Sequence, residues 1–196
     1  MDKPMEIARS ELILGGQKSG KSRRAELLAR NWLSQSQAHQ AVLIATAQPW
    51  DEEMRERITR HQQDRAGRVP GMQTVEEPVQ LAEALARHSQ PQTIVVVDCL
   101  TLWLTNLLMP AENNEPNKAL AHDPRACIAM VLRAIESTAG PVVLVGNEIG
   151  LGVIPLGRET RAFVDALGRL NQDVAQACER VTFMAAGLPL TLKGQA

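Results

Sequence analysis

Gly15-Gly16-Gln17-Lys18-Ser19-Gly20-Lys21-Ser22 fills every fixed position of the pattern G-x-x-x-x-G-K-[ST]. An apolar run, Leu12 to Leu14, precedes it, and Ala25, Leu27 and Leu28 follow on one face of an expected helix. Strand, glycine-rich loop and helix in that order make a phosphate cradle. The glycines let backbone N–H groups curl around phosphate oxygens, and the helix N-terminus adds its positive dipole. In such a cradle Lys21 reaches the β- and γ-phosphates, and the Ser22 hydroxyl ligates Mg²⁺. A nucleoside triphosphate with magnesium is therefore the expected ligand.

Outward from this loop, short apolar runs alternate with longer amphipathic stretches. Leu12 to Leu14, Ala41 to Thr46, Thr93 to Asp98, Pro141 to Val145 and Val181 to Met184 read as strands. The runs at 94–97 and 142–145 are almost pure Val, Ile and Leu, as expected where both faces of a sheet are covered. Helices are expected at about 20–35, 51–66, 78–89, 99–108, 124–138 and 159–178. The alternation implies an α/β fold, a mostly parallel sheet flanked by helices in a single domain spanning 1–196. Ligands of such sheets bind along the edge formed by the strand C-terminal ends.

Composition narrows the function. The formal net charge is −1 over 196 residues, with Lys and Arg dispersed, which argues against nucleic acid or a membrane surface as the main partner. No Tyr, two Phe and three Trp leave little for a base-stacking platform. Cys99, Cys127 and Cys178 are odd in number and widely spaced, matching no zinc or disulfide framework, so a reducing cytoplasm is expected. Residues Met1 to Glu11 carry charges and a proline but no apolar signal region, and no apolar run reaches membrane-spanning length.

Ile94-Val95-Val96-Val97-Asp98 places a carboxylate at a strand tip, where magnesium or its water shell needs one. The plainer alternative is an Asp capping the helix from Cys99. Asp51 to His61 reads as a charged helix with acidic residues at its N-terminus. His61 is either a solvated side chain or, with Arg57, Arg60 and Arg65 within about one helical turn, a nucleophile beside a phosphate clamp. His39 precedes a strand, His88 ends a helix, and His122 lies in a polar insertion, Pro110 to Pro124. Gly146 to Gly157, rich in glycine after a buried strand, is the more promising loop.

Ordered marks run the length of the chain. They include Gly15-Gly16, Ile44-Ala45-Thr46-Ala47, Asp51-Glu52-Glu53-Met54, His61, Thr74-Val75-Glu76 and Asp98-Cys99-Leu100-Thr101. Asn147-Glu148-Ile149-Gly150-Leu151-Gly152, Gly168-Arg169-Leu170-Asn171-Gln172 and Ala186-Gly187-Leu188-Pro189 complete them. With these the chain resembles the bifunctional adenosylcobinamide kinase / adenosylcobinamide-phosphate guanylyltransferase family of cobalamin biosynthesis. The resemblance implies a RecA-like P-loop NTPase fold, a homotrimer, and two activities. One phosphorylates adenosylcobinamide from ATP or GTP. The other passes GMP from GTP, through a GMP-histidine at His61, to adenosylcobinamide phosphate. It also implies nucleotide contacts at Gly15, Gly16, Gln17, Lys18, Ser19, Gly20, Lys21 and Ser22, at Ala45, Thr46 and Ala47, at Gln62, Gln63, Asp64 and Arg65, and at Glu76 and Asp98. Lys18 stands where the family commonly has Arg. Glu148 is either loop structure or part of the corrinoid site.

Two other readings fit the P-loop alone: a monofunctional small-molecule kinase with His61 a surface residue, or a non-enzymatic nucleotide switch. A covalent GMP adduct separates the first reading from both.

Overall fold

The computed structural model describes residues 6–49, 51–109 and 123–195. Seven strands are joined in one sheet: β1 Ser10–Gly15, β2 Gln40–Ala45, β3 Gln73–Glu76, β4 Thr93–Asp98, β5 Val142–Val145, β6 Arg180–Ala185 and β7 Leu188–Lys193. The helices are α1 Lys21–Gln35, α2 Glu52–Arg68, α3 Leu81–His88, α4 Leu100–Leu108, α5 Pro124–Glu136 and α6 Arg158–Ala177. The sheet order is β3-β2-β4-β5-β1-β6-β7, with every pairing parallel except β6–β7. The polar stretch expected at Pro110 to Pro124, with His122, lies outside the described residues up to 122. Asp123 caps α5 by accepting from the Arg125 N–H at 3.1 Å, and Pro124 opens the helix.

Side-chain alternation along each strand divides the interior in two. Ile13, Leu43, Val96, Val143 and Val145 pack against Ala25, Leu28 and Ala29 of α1 and against Val69, just past α2. Leu12, Ile44, Val95, Val97 and Leu144 pack on the other face against α3, α4, α5 and α6 through Leu85, Trp103, Val131 and Leu170. The central strands are buried on both sides, which is why their sequences are continuous Val, Ile and Leu.

Two elements differ from the sequence expectation. β3 and β7 are strands that no apolar run announces. In the sheet order, β5 lies between β4, which ends in Asp98, and the P-loop strand β1. That inserted strand is the RecA-like arrangement, and it sets Asp98 two strands from β1, roughly 10 Å across the sheet.

Candidate active site

Gly15 ends β1 in register with Met184 of β6, at φ 152°. A Cβ there would stand 2.5 Å from the Met184 carbonyl oxygen and 2.6 Å from Ser19 Oγ, so this position requires glycine. Lys18 and Gly20 also have positive φ, 55° and 102°, and turn the chain into α1, which opens at Lys21. The Lys21 ammonium is buried and donates to the Gly16 carbonyl at 2.6 Å. Ser22 follows it in the first turn, half-buried.

The loop is held from three sides. The Gly187 N–H donates to the Ser19 carbonyl at 3.0 Å from the β6–β7 turn, where Ala186 and Gly187 both have positive φ, as a tight hairpin turn requires. From the other side the Glu148 N–H donates to the Gly15 carbonyl at 3.1 Å. Underneath is the β1–β6 ladder itself.

The acidic residues reach the same face by register. Glu76 pairs with Ala45, Ala45 with Asp98, Asp98 with Val145, and Val145 with Ile13. Residues paired across a sheet point to one face, and Ile13 and Val145 belong to the α1 side. Asp98 and Glu76 therefore point to the side of the edge where Lys21 and Ser22 begin α1. Asp98 is half-buried and Glu76 is exposed.

Thr46 is fully buried, and its hydroxyl is engaged in a staple. Oγ1 donates to the Cys99 carbonyl at 2.7 Å and accepts the Cys99 N–H at 2.8 Å, while the Thr46 N–H donates to the Asp98 carbonyl at 3.2 Å. The Asp98–Cys99 peptide between them is cis. Ala45 and Ala47 flank the staple, half-buried. Asn106 of α4 closes it, its amide donating to the Thr46 carbonyl at 2.8 Å and to that of Pro78 at 3.0 Å. Thr101 Oγ1 accepts the Asn147 N–H at 2.9 Å, and the Asn171 amide donates to the Asn147 carbonyl at 3.1 Å. Thr46, Thr101, Asn147 and Asn171 stood among the sequence marks, but their positioning roles went unread; the available signal was Asn106, a buried amide among the leucines of α4.

α2 starts beyond the β2 end and returns to β3, so its N-terminus lies toward the strand C-terminal edge. Asp51 caps it, accepting the Met54 N–H at 2.7 Å. His61, Gln62, Gln63 and Asp64 are exposed, and Asp64 pairs with Arg68 at 3.2 Å. Of the arginines expected around His61, two have described side chains, and they point different ways. Arg65 turns inward, buried, with Nη1 donating to Thr74 Oγ1 at 3.1 Å. Burial lowers its pKa, and the charges of Asp98 and Glu26 oppose that shift. Its Nε has no hydrogen-bond partner. Arg65 is thus a buried cation at the acidic end of the edge. His61 sits one helical turn nearer the strand tips, about 6 Å along the axis. Arg60 lies on the exposed surface. His39 is accounted for elsewhere, stacked on Trp32 with ring centroids 3.8 Å apart.

A family model described as "Cobinamide kinase / cobinamide phosphate guanyltransferase" matches residues 11–192. The chain is 45% identical over 189 residues to "Bifunctional adenosylcobalamin biosynthesis protein CobP" of Pseudomonas aeruginosa, covering 94% of this chain and 98% of that protein. It is 35% identical over 187 residues to "Bifunctional adenosylcobalamin biosynthesis protein CobU" of Escherichia coli, covering 93% and 98%. The Salmonella typhimurium protein of the same name is 34% identical over 187 residues, with the same coverage. Among solved structures, the flagellar accessory protein FlaH of Methanocaldococcus jannaschii superposes with a TM-score of 0.53 at 11% identity. That match covers 97% of this chain and 80% of FlaH, and it speaks for the fold alone.

Proposed function

The chain belongs to the cobinamide kinase / cobinamide phosphate guanyltransferase family, and on that premise we propose that one sheet edge serves two reactions of adenosylcobalamin biosynthesis. In the first, the γ-phosphoryl group of ATP or GTP passes to the aminopropanol hydroxyl of adenosylcobinamide, releasing the nucleoside diphosphate. In the second, a His61 ring nitrogen attacks the α-phosphorus of GTP and pyrophosphate leaves. The phosphate of adenosylcobinamide phosphate then displaces histidine, giving adenosylcobinamide-GDP. The observation that carries this reading is the shared face: Lys21 and Ser22 open α1 on the side to which Asp98 and Glu76 point.

The residues act by holding and neutralising charge. The P-loop N–H groups and Lys21 bind the β- and γ-phosphates and meet the charge that develops on them during transfer. A histidine–phosphate bond is a high-energy linkage, so the second transfer needs only an acceptor phosphate brought in line. Arg65, buried beside Asp98, offers a fixed positive charge near the path from α2 to the cradle. Gln62, Gln63 and Asp64 stand on the same stretch of α2, open to nucleotide.

The donor set fits magnesium. Ser22 and Asp98 supply hard oxygens, and Mg²⁺ takes only one or two protein ligands beside phosphates and water. Cys99, the one soft donor adjoining Asp98, is buried, and burial foremost pushes its thiol up to about 11, so it stays protonated. When bound, Mg²⁺ neutralises phosphate charge, and Ser22 and Asp98 would hold it.

The protein is read as a cytoplasmic homo-oligomer, a homotrimer by family resemblance. Among the described residues no helix is long and apolar enough to cross a membrane. β7 ends the sheet and carries Leu188, Leu190 and Leu192 exposed, an edge open to pairing with another copy.

The test is incubation of the protein and of His61→Ala with Mg²⁺ and GTP labelled at the α-phosphate. Protein-bound label that is acid-labile, alkali-stable and absent from the variant is expected. No label on the wild type, with GTP binding intact, would rule out the His61 mechanism.

A further inference from the structure

Between β5 and α6 the chain runs Ile149-Gly150-Leu151-Gly152-Val153-Ile154-Pro155-Leu156-Gly157, nine residues without a charge. Leu151, Val153, Ile154 and Leu156 are three-quarters or more exposed, and Ile149 is exposed as well. Such a cluster of bare apolar side chains in one short loop is unusual unless something covers it. The loop is tied at both ends. The Glu148 N–H is bonded to Gly15 of the P-loop, the Gly150 N–H donates to Glu148 Oε1 at 2.9 Å, and the Arg161 guanidinium donates to the Pro155 carbonyl at 3.0 Å. Leu151 lies three residues from that P-loop contact, at most about 10 Å of extended chain.

We propose that this loop is the platform on which the corrin ring of the substrate lies. The inference rests on the proposed function and names the part of the substrate that its site must hold. Adenosylcobinamide combines a broad macrocycle, with apolar faces and an amide-bearing rim, with a side arm ending in the hydroxyl to be phosphorylated. The arm must reach the γ-phosphate while the ring rests outside the cradle. An uncharged apolar surface beginning one residue from a P-loop hydrogen bond meets both demands. A cavity between α3, α4 and α5, lined in part by Leu81, Trp103 and Met130, does not. At about 160 Å³ it falls below the roughly 300–1,000 Å³ of ordinary small-molecule sites. Continuity with the phosphate site favours the corrinoid over a second copy of the chain as occupant, and the two are separable.

The test compares the full-length wild type with Leu151→Ser/Val153→Ser/Leu156→Ser and with the single variant Val153→Ser. Each side chain is exposed, so the fold is not at stake. The measurements are KM for adenosylcobinamide in the phosphorylation reaction, KM for GTP in histidine labelling without corrinoid, cobinamide binding by absorbance titration, and sedimentation. The triple variant should raise the corrinoid KM and weaken cobinamide binding by about tenfold or more, given the loss of three apolar contacts. The single variant should move both in the same direction by less. GTP labelling and sedimentation should match the wild type. A corrinoid KM and cobinamide affinity unchanged in the triple variant overturn the proposal. If that result comes with altered sedimentation, the loop is a contact between copies. A wild type that phosphorylates no corrinoid overturns the proposed function, and this inference falls with it.

Discussion

Gly15 and Gly16 are adjacent and belong to one motif, yet the structure assigns them opposite sensitivities. At Gly15 an added Cβ meets the Met184 carbonyl oxygen at 2.5 Å and Ser19 Oγ at 2.6 Å, and φ is 152°. Ser19 can rotate away. The Met184 carbonyl cannot, because it lies in the β1–β6 ladder where Met184 pairs with Gly15. Backbone strain at such a φ costs about 1–3 kcal/mol. Forcing a methyl into a packed site costs about 1–3 kcal/mol more. Gly15→Ala should therefore lose roughly 2–6 kcal/mol, a large part of the ~5–15 kcal/mol that holds a domain folded. At Gly16 a Cβ meets nothing within 4 Å, so Gly16→Ala should stay within about 0.5 kcal/mol of wild type. Its methyl instead enters the open side of the loop, so the loss should appear in nucleotide affinity. Urea denaturation without ligand, followed by titration with Mg²⁺-GTP, measures both. Equal destabilisation by the two substitutions, or a stable Gly15→Ala, would refute the packing argument.

Two further outcomes follow from buried groups. Thr46→Val keeps the side-chain shape but leaves the buried Cys99 N–H and carbonyl without their 2.8 and 2.7 Å partners. It should cost about 2–4 kcal/mol in urea denaturation, and it should weaken magnesium-dependent nucleotide binding because Asp98 loses its support. An unchanged denaturation midpoint would show that the staple bears no load. Burial, in each case the leading cause, raises all three thiols: Cys99 to about 11, Cys178 to about 12, and Cys127 also upward. At pH 8 Ellman's reagent should label Cys127 at most in the folded protein and all three in denaturant. Because the folded values lie above the ordinary 9.0, the thiols' contribution to stability is intact below about pH 9. It should be lost as pH rises through 11 to 12. Rapid labelling of two or more thiols in the native protein would contradict this burial.

What was legible in the sequence was legible for local reasons. The central strands Thr93–Asp98 and Val142–Val145 are covered on both faces, and only continuous β-branched and leucine runs satisfy that environment. The P-loop was readable because its glycines answer to backbone geometry at Gly15 and Gly20. β3 was hidden because Gln73–Glu76 is a short, largely exposed edge strand with no apolar face to announce it. β7 was hidden because Pro189 argues against a strand and its leucines face outward. Strand order is not local at all. That β5 separates the P-loop strand from the Asp98 strand follows from crossover packing, which no window of residues encodes. The inward turn of Arg65 is likewise tertiary, for its partners are Thr74 on β3 and the field of Asp98 on β4.

The two halves of the candidate site are held with different firmness, and under the proposed mechanism the two activities divide along that line. The cradle is fixed by the β1–β6 ladder, by Gly187 on one side and by Glu148 on the other. His61 has no comparable support. From Glu52 to Asp64 no described side chain of α2 is buried, and the helix is secured at its far end by Arg65 on Thr74, Arg68 on Glu26 at 2.8 Å, and Val69 in the core. A helix so polar cannot draw its position from apolar burial along those turns. In the proposed mechanism, phosphoryl transfer needs only the cradle, the magnesium it would hold and an acceptor, whereas guanylyl transfer also needs His61 brought to the α-phosphate. Damage to the cradle should therefore remove both activities together, and damage to the exposed turns of α2 should remove guanylyl transfer while sparing the kinase.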